Sequence, residues 1–345
     1  MKTLQTEQVK GPILVVLPKF IGDAINAIPA MKLLHTLYPN NKLVLLASAA
    51  VCELLTRAEF TNLDFVCVDS FGKSRVSIKL INELRKRKLS LAFLFRGSLG
   101  DALLCKLAGI RTLIGYAQNG RSPLLSYALR LNPNHHYINR YCRLINEPHN
   151  NPFAYFTHPT LRTDSYTRPD NSQNRKVICV YMGSANKGTR YYPSQSAHTA
   201  LSQIARQTEC EFLLIGAEHE KADNAQLCHA LKSSNIEVTD LSGKTNMTEL
   251  VDTIAQSNLM ISIDSGPMHI ACAVNVNCIA LVGIGTSPWS SVEPLTKRCI
   301  PLFANPLMLD DSKKLASISP DKLAKLAINL LKTQIDKDTE REYSQ

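Results

Sequence analysis

The sequence predicts an α/β protein built from two successive doubly wound parallel sheets. Three observations predict it. Short apolar runs alternate with segments of helical periodicity, as parallel β-α-β units require. The alternation stops over residues 146–176, which hold four prolines, many Asn and Thr and no apolar periodicity, and then restarts. The length, 345 residues, fits two domains at roughly 100–200 residues each. The expected domains are 1–165 and 166–345. Two such sheets would face a central cleft, where folds of this kind bind ligands.

Each element has a local reason. Residues 13–17 (Ile, Leu, Val, Val, Leu) read as a short buried strand. A helix follows Asp23, with Ala27, Ile28, Met31, Leu34 and Leu37 at helical spacing, and Tyr38-Pro39-Asn40 stops it. Residues 42–47, 64–68, 90–95 and 112–115 read as strands. Residues 52–57, 78–88 and 101–108 read as helices. In the second half the expected strands are 177–181, 211–215, 237–241, 259–263 and 278–282. The expected helices are 196–206, 218–231, 248–256, 268–274 and 320–332, and the tail from Thr333 is polar.

Composition removes several classes. Apolar residues are 45% and charged residues 20%, ordinary for a protein with a sizeable core. No apolar run approaches the ~20 residues that span a bilayer. The run 13–18 is too short for a signal-peptide core, so a cytoplasmic protein is expected. The ten cysteines form no C-x-x-C pair and most lie in apolar surroundings, which reads as reduced buried thiols. Aromatics are 6%, without basic interleaving, which speaks against a nucleic-acid partner. The net charge of +10 is unevenly placed. Residues 1–170 carry 22 Lys+Arg against 11 Asp+Glu, a net of +11, and the remainder a net of −1. The first half therefore suits an acidic partner.

Four places carry residues suited to chemistry. Gly22-Asp23 lies between the first strand and its helix. Asp23 can cap that helix or take a proton from a hydroxyl. Asp264-Ser265-Gly266-Pro267-Met268-His269 follows a strand and opens a helix, so its amides can cap locally or hold a diphosphate. The loop 183–190, with Gly183, Lys187 and Arg190, follows the first strand of the second half, where doubly wound sheets bind phosphate. Gly243-Lys244-Thr245 ends like a phosphate-binding P-loop, but Val238 stands where that motif needs glycine, so a P-loop ATPase is excluded. Glu218, just after a strand, is placed to accept from ribose hydroxyls. A basic run (Lys73, Arg75, Lys79, Arg85, Lys86, Arg87, Lys88) is a solvated face or a contact for an anionic surface.

Together these segments resemble glycosyltransferase family 9, the ADP-heptose:lipopolysaccharide heptosyltransferases, over most of the chain. The resemblance runs from the first strand and Gly22-Asp23 through Ala27-Ile28-Pro29-Ala30. It continues in the stretch from Ala108-Gly109-Ile110 to Gly115, and in His136 followed by Arg140-Tyr141. It is most specific at Leu241-Ser242-Gly243-Lys244-Thr245 and Asp264-Ser265-Gly266-Pro267-Met268-His269. The order of segments is closer to the second heptosyltransferase subgroup than to the first. The resemblance implies a GT-B fold of two Rossmann-like domains, an ADP-heptose donor in the C-terminal half, a lipopolysaccharide core acceptor in the N-terminal half, and inversion at the anomeric carbon. It implies Asp23 as general base and Arg190 at the departing diphosphate. Gly183, Lys187, Asp264, Ser265, Gly266 and His269 would line the diphosphate and sugar, and Glu218, Lys244 and Thr245 the ribose and adenine. Gly22, Arg96 and Arg121 are the acceptor-side candidates. No metal or cofactor is expected beyond the donor, and peripheral contact with the cytoplasmic face of the inner membrane fits the acceptor. Met182-Gly183 replaces the family's Pro-Gly, and Arg190 stands where the family has Lys. Two other readings stay open at this level: another nucleotide-sugar or a protein acceptor, and a non-catalytic nucleotide-sugar-binding protein.

Overall fold

The computed structural model describes residues 3–68, 77–164, 175–184 and 188–333. The chain forms two compact units, Met1–Thr160 with Ser290–Val292, and Leu161–Trp289 with Glu293–Gln345. Each contains a six-stranded, wholly parallel sheet.

The first unit runs β1 (Ile13–Val16), α1 (Ile21–Leu37), β2 (Leu43–Ser48), α2 (Ala49–Leu55), β3 (Leu63–Val68), α3 (Ile78–Lys86), β4 (Leu91–Leu94), α4 (Leu99–Leu107), β5 (Thr112–Tyr116), β6 (Tyr127–Leu129) and α5 (Tyr137–Asn146). Its strand order is β3-β2-β1-β4-β5-β6. Val15 pairs with Leu45 on one side and Phe93 on the other. The central strands are buried along their whole length because helices cover both faces. Alternation sorts the side chains. Leu14 and Val16, Val44 and Leu46, and Ala92 and Leu94 cluster with Leu84 of α3 and Ala102 and Cys105 of α4. On the helical side, α1 packs against α5 and α2.

The second unit repeats the pattern with β7 (Lys176–Tyr181), α6 (Ser194–Gln207), β8 (Cys210–Leu214), α7 (Lys221–Ser233), β9 (Val238–Asp240), α8 (Met247–Ala255), β10 (Leu259–Ile263), α9 (Gly266–Ala273), β11 (Cys278–Val282), β12 (Cys299–Phe303) and α11 (Pro320–Lys332); the short helix α10 (Trp289–Val292) comes between β11 and β12 in sequence, and its residues Ser290–Val292 belong to the first unit. The order β12-β11-β10-β7-β8-β9 is that of the first sheet. In both units the strand order reverses once, at β1/β4 and at β7/β10.

The structure differs from the sequence expectation in instructive places. The first helix starts at Ile21, with Phe20 as its N-cap, so Asp23 is the third helical residue and not the cap. The segment expected as one helix from Glu218 is a 3-10 turn, Glu218–Glu220, followed by α7. The strands β6 and β12 and the helix α5 have no counterpart in the sequence reading. β6 is three residues long. β12 carries Pro301, which a strand accepts at an edge, where one ladder side is free. All ten cysteines are free and eight are buried, but Cys67 is exposed, because β3 is an edge strand.

His149 anchors α5 to the first core. Its Nδ1 donates to the Ile145 carbonyl at 2.5 Å and its Nε2 accepts from the Tyr38 hydroxyl at 2.7 Å. This arrangement needs the neutral ring, and burial holds its pKa below the ordinary 6.5. A ring that binds protons less well folded than unfolded contributes fully above 6.5, and that contribution is lost as pH falls through the folded value. The thermal midpoint should therefore drop between neutral and mildly acidic pH, and His149→Gln should flatten that slope; an unchanged slope in the variant would assign the loss elsewhere.

Candidate active site

Each unit brings its candidates to the carboxyl edge of its sheet, most of them beside the strands where the order reverses and Arg121, Glu218, Lys244 and Thr245 after strands further out. In the first unit Gly22 and Asp23 lie in the first turn of α1, just after β1. Gly22 is buried and Asp23 half-buried. A carboxylate in this turn stabilises the helix through its dipole. Asp23 faces Tyr141 of α5, whose phenol is pushed well above its ordinary value by burial and then by the Asp23 charge. The Tyr141 ring stacks on Phe95, centroids 5.1 Å apart. His136 and Arg140 hold that helix in place. The His136 Nδ1 accepts from the Ile138 amide at 3.2 Å, capping α5. Arg140 donates to the carbonyls of Pro133 and His135 and lies over the Tyr137 ring. Asn26, one turn beyond Asp23, is 1% exposed, and its Nδ2 has no partner among the described residues.

Arg96 and Arg121 share this edge but differ in kind. Arg96 follows β4 and donates from Nη2 to Asp101 Oδ1 at 2.9 Å, in an ion pair that is nearly buried. Arg121 is 0% exposed. Its Nε donates to the Tyr116 carbonyl at 2.8 Å and its Nη1 to the Arg96 carbonyl, so it ties the ends of β4 and β5 together. Burial brings its pKa down to about 10. Gly115 leaves it room, since a Cβ there would sit 3.0 Å from its Nη2. Arg121 thus braces the backbone around Arg96 and is not presented at the surface.

In the second unit the loop after β7 turns sharply at Gly183, where φ is +76°, and bridges back to Tyr191. A Cβ at Gly183 would meet the Arg190 carbonyl and lie 2.8 Å from Ile263 Cδ1. The return brings Arg190 to the next switch strand, where its Nη2 donates to the Asp264 carbonyl at 2.7 Å. Asp264 is half-buried. Burial raises its pKa above the ordinary carboxylate value, and Arg190 pulls it the other way. Ser265 is the N-cap of α9, yet its side chain makes no capping bond. Its hydroxyl donates to the Ile263 carbonyl at 3.1 Å instead. The first turn of α9 therefore offers amides that no side chain covers, with Gly266 giving close approach and a guanidinium alongside. An arrangement of this kind can hold an anion. His269 lies one turn in and is buried. Lys187 falls outside the described residues.

Glu218 and the Gly243 loop come together. A Cβ at Gly243 would collide with the Glu218 carboxylate, and Gly243 itself sits at φ +68°. Glu218 is exposed and paired with Lys221. Thr245 is half-buried, and Lys244 turns back to the Asp240 carbonyl at 2.7 Å. Sequence reasoning missed the neighbouring Glu220, which is 2% exposed. It accepts from the Tyr181 hydroxyl at 2.7 Å and from the Ala217 amide at 2.8 Å. Beside it Asn224 donates to Ser242 Oγ at 2.7 Å, and Ser184 donates to Asp223 at 2.8 Å. These bonds fix the ends of β7 and β8 under the Gly243 loop. The local sequence holds two glutamates two residues apart, and only the 3-10 turn decides which one points inward.

Comparison with known proteins bears on what this arrangement does. The chain matches the profile of Glycosyltransferase family 9 (heptosyltransferase) over residues 77–306. It is 26% identical to lipooligosaccharide heptosyltransferase 2 of Campylobacter jejuni over 335 residues, covering 93% of this chain and 98% of that one. Its fold is similar to that of the Escherichia coli ADP-heptose lipopolysaccharide heptosyltransferase II, with a TM-score of 0.78, 22% identity, and 93% and 98% of the two chains covered. A second E. coli heptosyltransferase, solved with ADP-2-deoxy-2-fluoro heptose, superposes with a TM-score of 0.69 at 13% identity over 92% of this chain and 99% of that one. These structures share the GT-B fold.

The Gly183 turn is the most exacting point of the second half-site. Gly183→Ala should cost about 2 kcal/mol or more, from the left-handed backbone and the displaced Arg190 strand. It should also weaken anion binding at α9. Unaltered stability and nucleotide affinity in the variant would show that the turn does not set the position of Arg190.

Proposed function

The chain belongs to glycosyltransferase family 9, the heptosyltransferases, and from that premise we propose that it transfers heptose from ADP-heptose to the inner core of lipopolysaccharide. One observation carries the donor side: the uncapped first turn of α9 with Arg190 bonded beside it at the Asp264 carbonyl. A diphosphate matches that set of donors in charge and reach. The named relatives support ADP-heptose as the donor, since one similar solved structure is named an ADP-heptose heptosyltransferase and another was solved with ADP-2-deoxy-2-fluoro heptose.

In this reading Gly183, Lys187, Asp264, Ser265, Gly266 and His269 hold the diphosphate and sugar. Glu218, Lys244 and Thr245 lie at the ribose and adenine. Gly22 and Arg96 meet the acceptor, and Arg121 acts through Arg96 by bracing its carbonyl. Asp23 takes the proton from the acceptor hydroxyl as its oxygen attacks the anomeric carbon. The bond from that carbon to the diphosphate breaks on the opposite face, so configuration inverts. ADP leaves with its new charge met by Arg190 and the α9 amides. The step needs no metal, because those groups serve the leaving diphosphate. The net charge of +11 over residues 1–170 suits an acceptor bearing acidic sugars and phosphates. We place the enzyme at the cytoplasmic face of the inner membrane. Among the described residues no helix is long and apolar enough to cross a membrane.

Calorimetric titration with ADP, ADP-heptose, UDP and UDP-glucose tests the donor. Selective binding of the adenine ligands is expected; selective uridine binding would move the enzyme to another donor. Asp23→Ala should reduce transfer by about 10²–10⁴-fold and leave ADP affinity unchanged. An equal loss of ADP affinity would remove Asp23 from the role of base. Arg190→Ala should reduce turnover by about 10²–10³-fold, with Arg190→Lys recovering part of it.

A further inference from the structure

Helix α4 is apolar on two faces. One face, with Ala102, Leu104 and Cys105, is buried in the first core. The other carries Leu99, Leu103 and Leu107, which are 46%, 41% and 41% exposed in the whole chain. Their spacing of four residues sets them in one row about 12 Å long. A surface helix ordinarily turns polar residues outward, so this row stands unexplained by folding. Ile78, at the start of the neighbouring α3, adds an apolar side chain that is 78% exposed.

The surroundings of the row are basic. The Arg85 guanidinium lies at its end, donating from Nε and Nη2 to the Leu107 carbonyl at 3.0 and 2.8 Å. Lys106 lies between the last two leucines in sequence, with its Nζ on the Arg111 carbonyl at 2.8 Å. Lys79 and Lys86 are exposed on α3. The acidic side chains of these two helices are already engaged, Glu83 by Arg87 and Asp101 by Arg96.

We infer that the outer face of α3 and α4 is a docking surface for an anionic phospholipid bilayer. The leucine row would enter the headgroup boundary, and the lysines and arginines would meet the phosphates around it. A second copy of the chain is the poorer occupant, because it would set one basic rim against another. The inference extends the proposed membrane location by naming the surface, and it stands apart from the choice of sugar and base.

Vesicle sedimentation of the full-length protein, without donor or acceptor, tests it. The protein should bind vesicles of phosphatidylcholine mixed with phosphatidylglycerol, bind phosphatidylcholine alone weakly, and be released by salt. Leu103→Gln with Leu107→Gln should weaken binding about tenfold or more. Lys79→Gln with Lys86→Gln should weaken it about fivefold for each charge removed. Both variants should keep the parent's circular dichroism and thermal midpoint, and transfer to a delipidated oligosaccharide acceptor should be unchanged. That last assay reads the transferase reading separately from docking. Equal vesicle binding by the parent and the leucine variant would overturn the inference. So would no binding by the parent, or a dimer that the leucine variant abolishes.

Discussion

Parallel strands must be joined by crossovers, and crossovers of one hand force the helices on the two sides of a strand-order reversal to opposite faces. At that reversal the loops leaving two adjacent strands diverge, and the backbone amides between them stay uncovered. The rest of this molecule depends on that constraint. It acts twice, at β1/β4 and at β7/β10. The first reversal sets Asp23 after β1 and Arg96 after β4. The second sets the Gly183 loop after β7 and the Asp264 turn after β10, and the Arg190 bond to the Asp264 carbonyl closes across it.

Both edges hold polar groups in positions that folding alone would avoid. Asp264 has a raised pKa because its carboxylate is partly removed from water. Ser265 leaves its own helix uncapped. Arg121 is wholly buried and spent on backbone carbonyls. Burial of a charge costs several kcal/mol unless partners compensate. Such arrangements concentrate where a ligand completes them or where a loop must be held to one shape. Arg121 belongs to the second kind, and in the proposed donor site Asp264 and Ser265 belong to the first.

The excess positive charge of the first unit is partly consumed within it. Arg87 is bound by Asp64 and Glu83, and Arg85 by the carbonyl of Leu107. Lys79 and Lys86 remain exposed on α3, beside the apolar row of α4. An enzyme whose acceptor is anchored in a membrane gains effective concentration by resting on the same surface. In the docking we infer, the apolar row on α4 and the lysines of α3 would act together on that surface.

The sequence by itself determined the class of fold, most strand and helix positions, and the glycine, acid and amide segments at the sheet edges. These follow from periodicity and from turn chemistry within a few residues. Tertiary structure decided the rest. It made Asp23 the third residue of α1, because Phe20 is the residue left extended at the helix start. It turned Glu220 inward to Tyr181 and left Glu218 outward on the Gly243 loop. It buried Arg121 and left Arg96 at the edge, although both read in sequence as basic residues after a strand. It added β12 in spite of Pro301, since an edge strand needs only one ladder. In each case the deciding contact lies far along the chain, and the free energy of burial or of a hydrogen bond depends on that partner rather than on the neighbours in sequence.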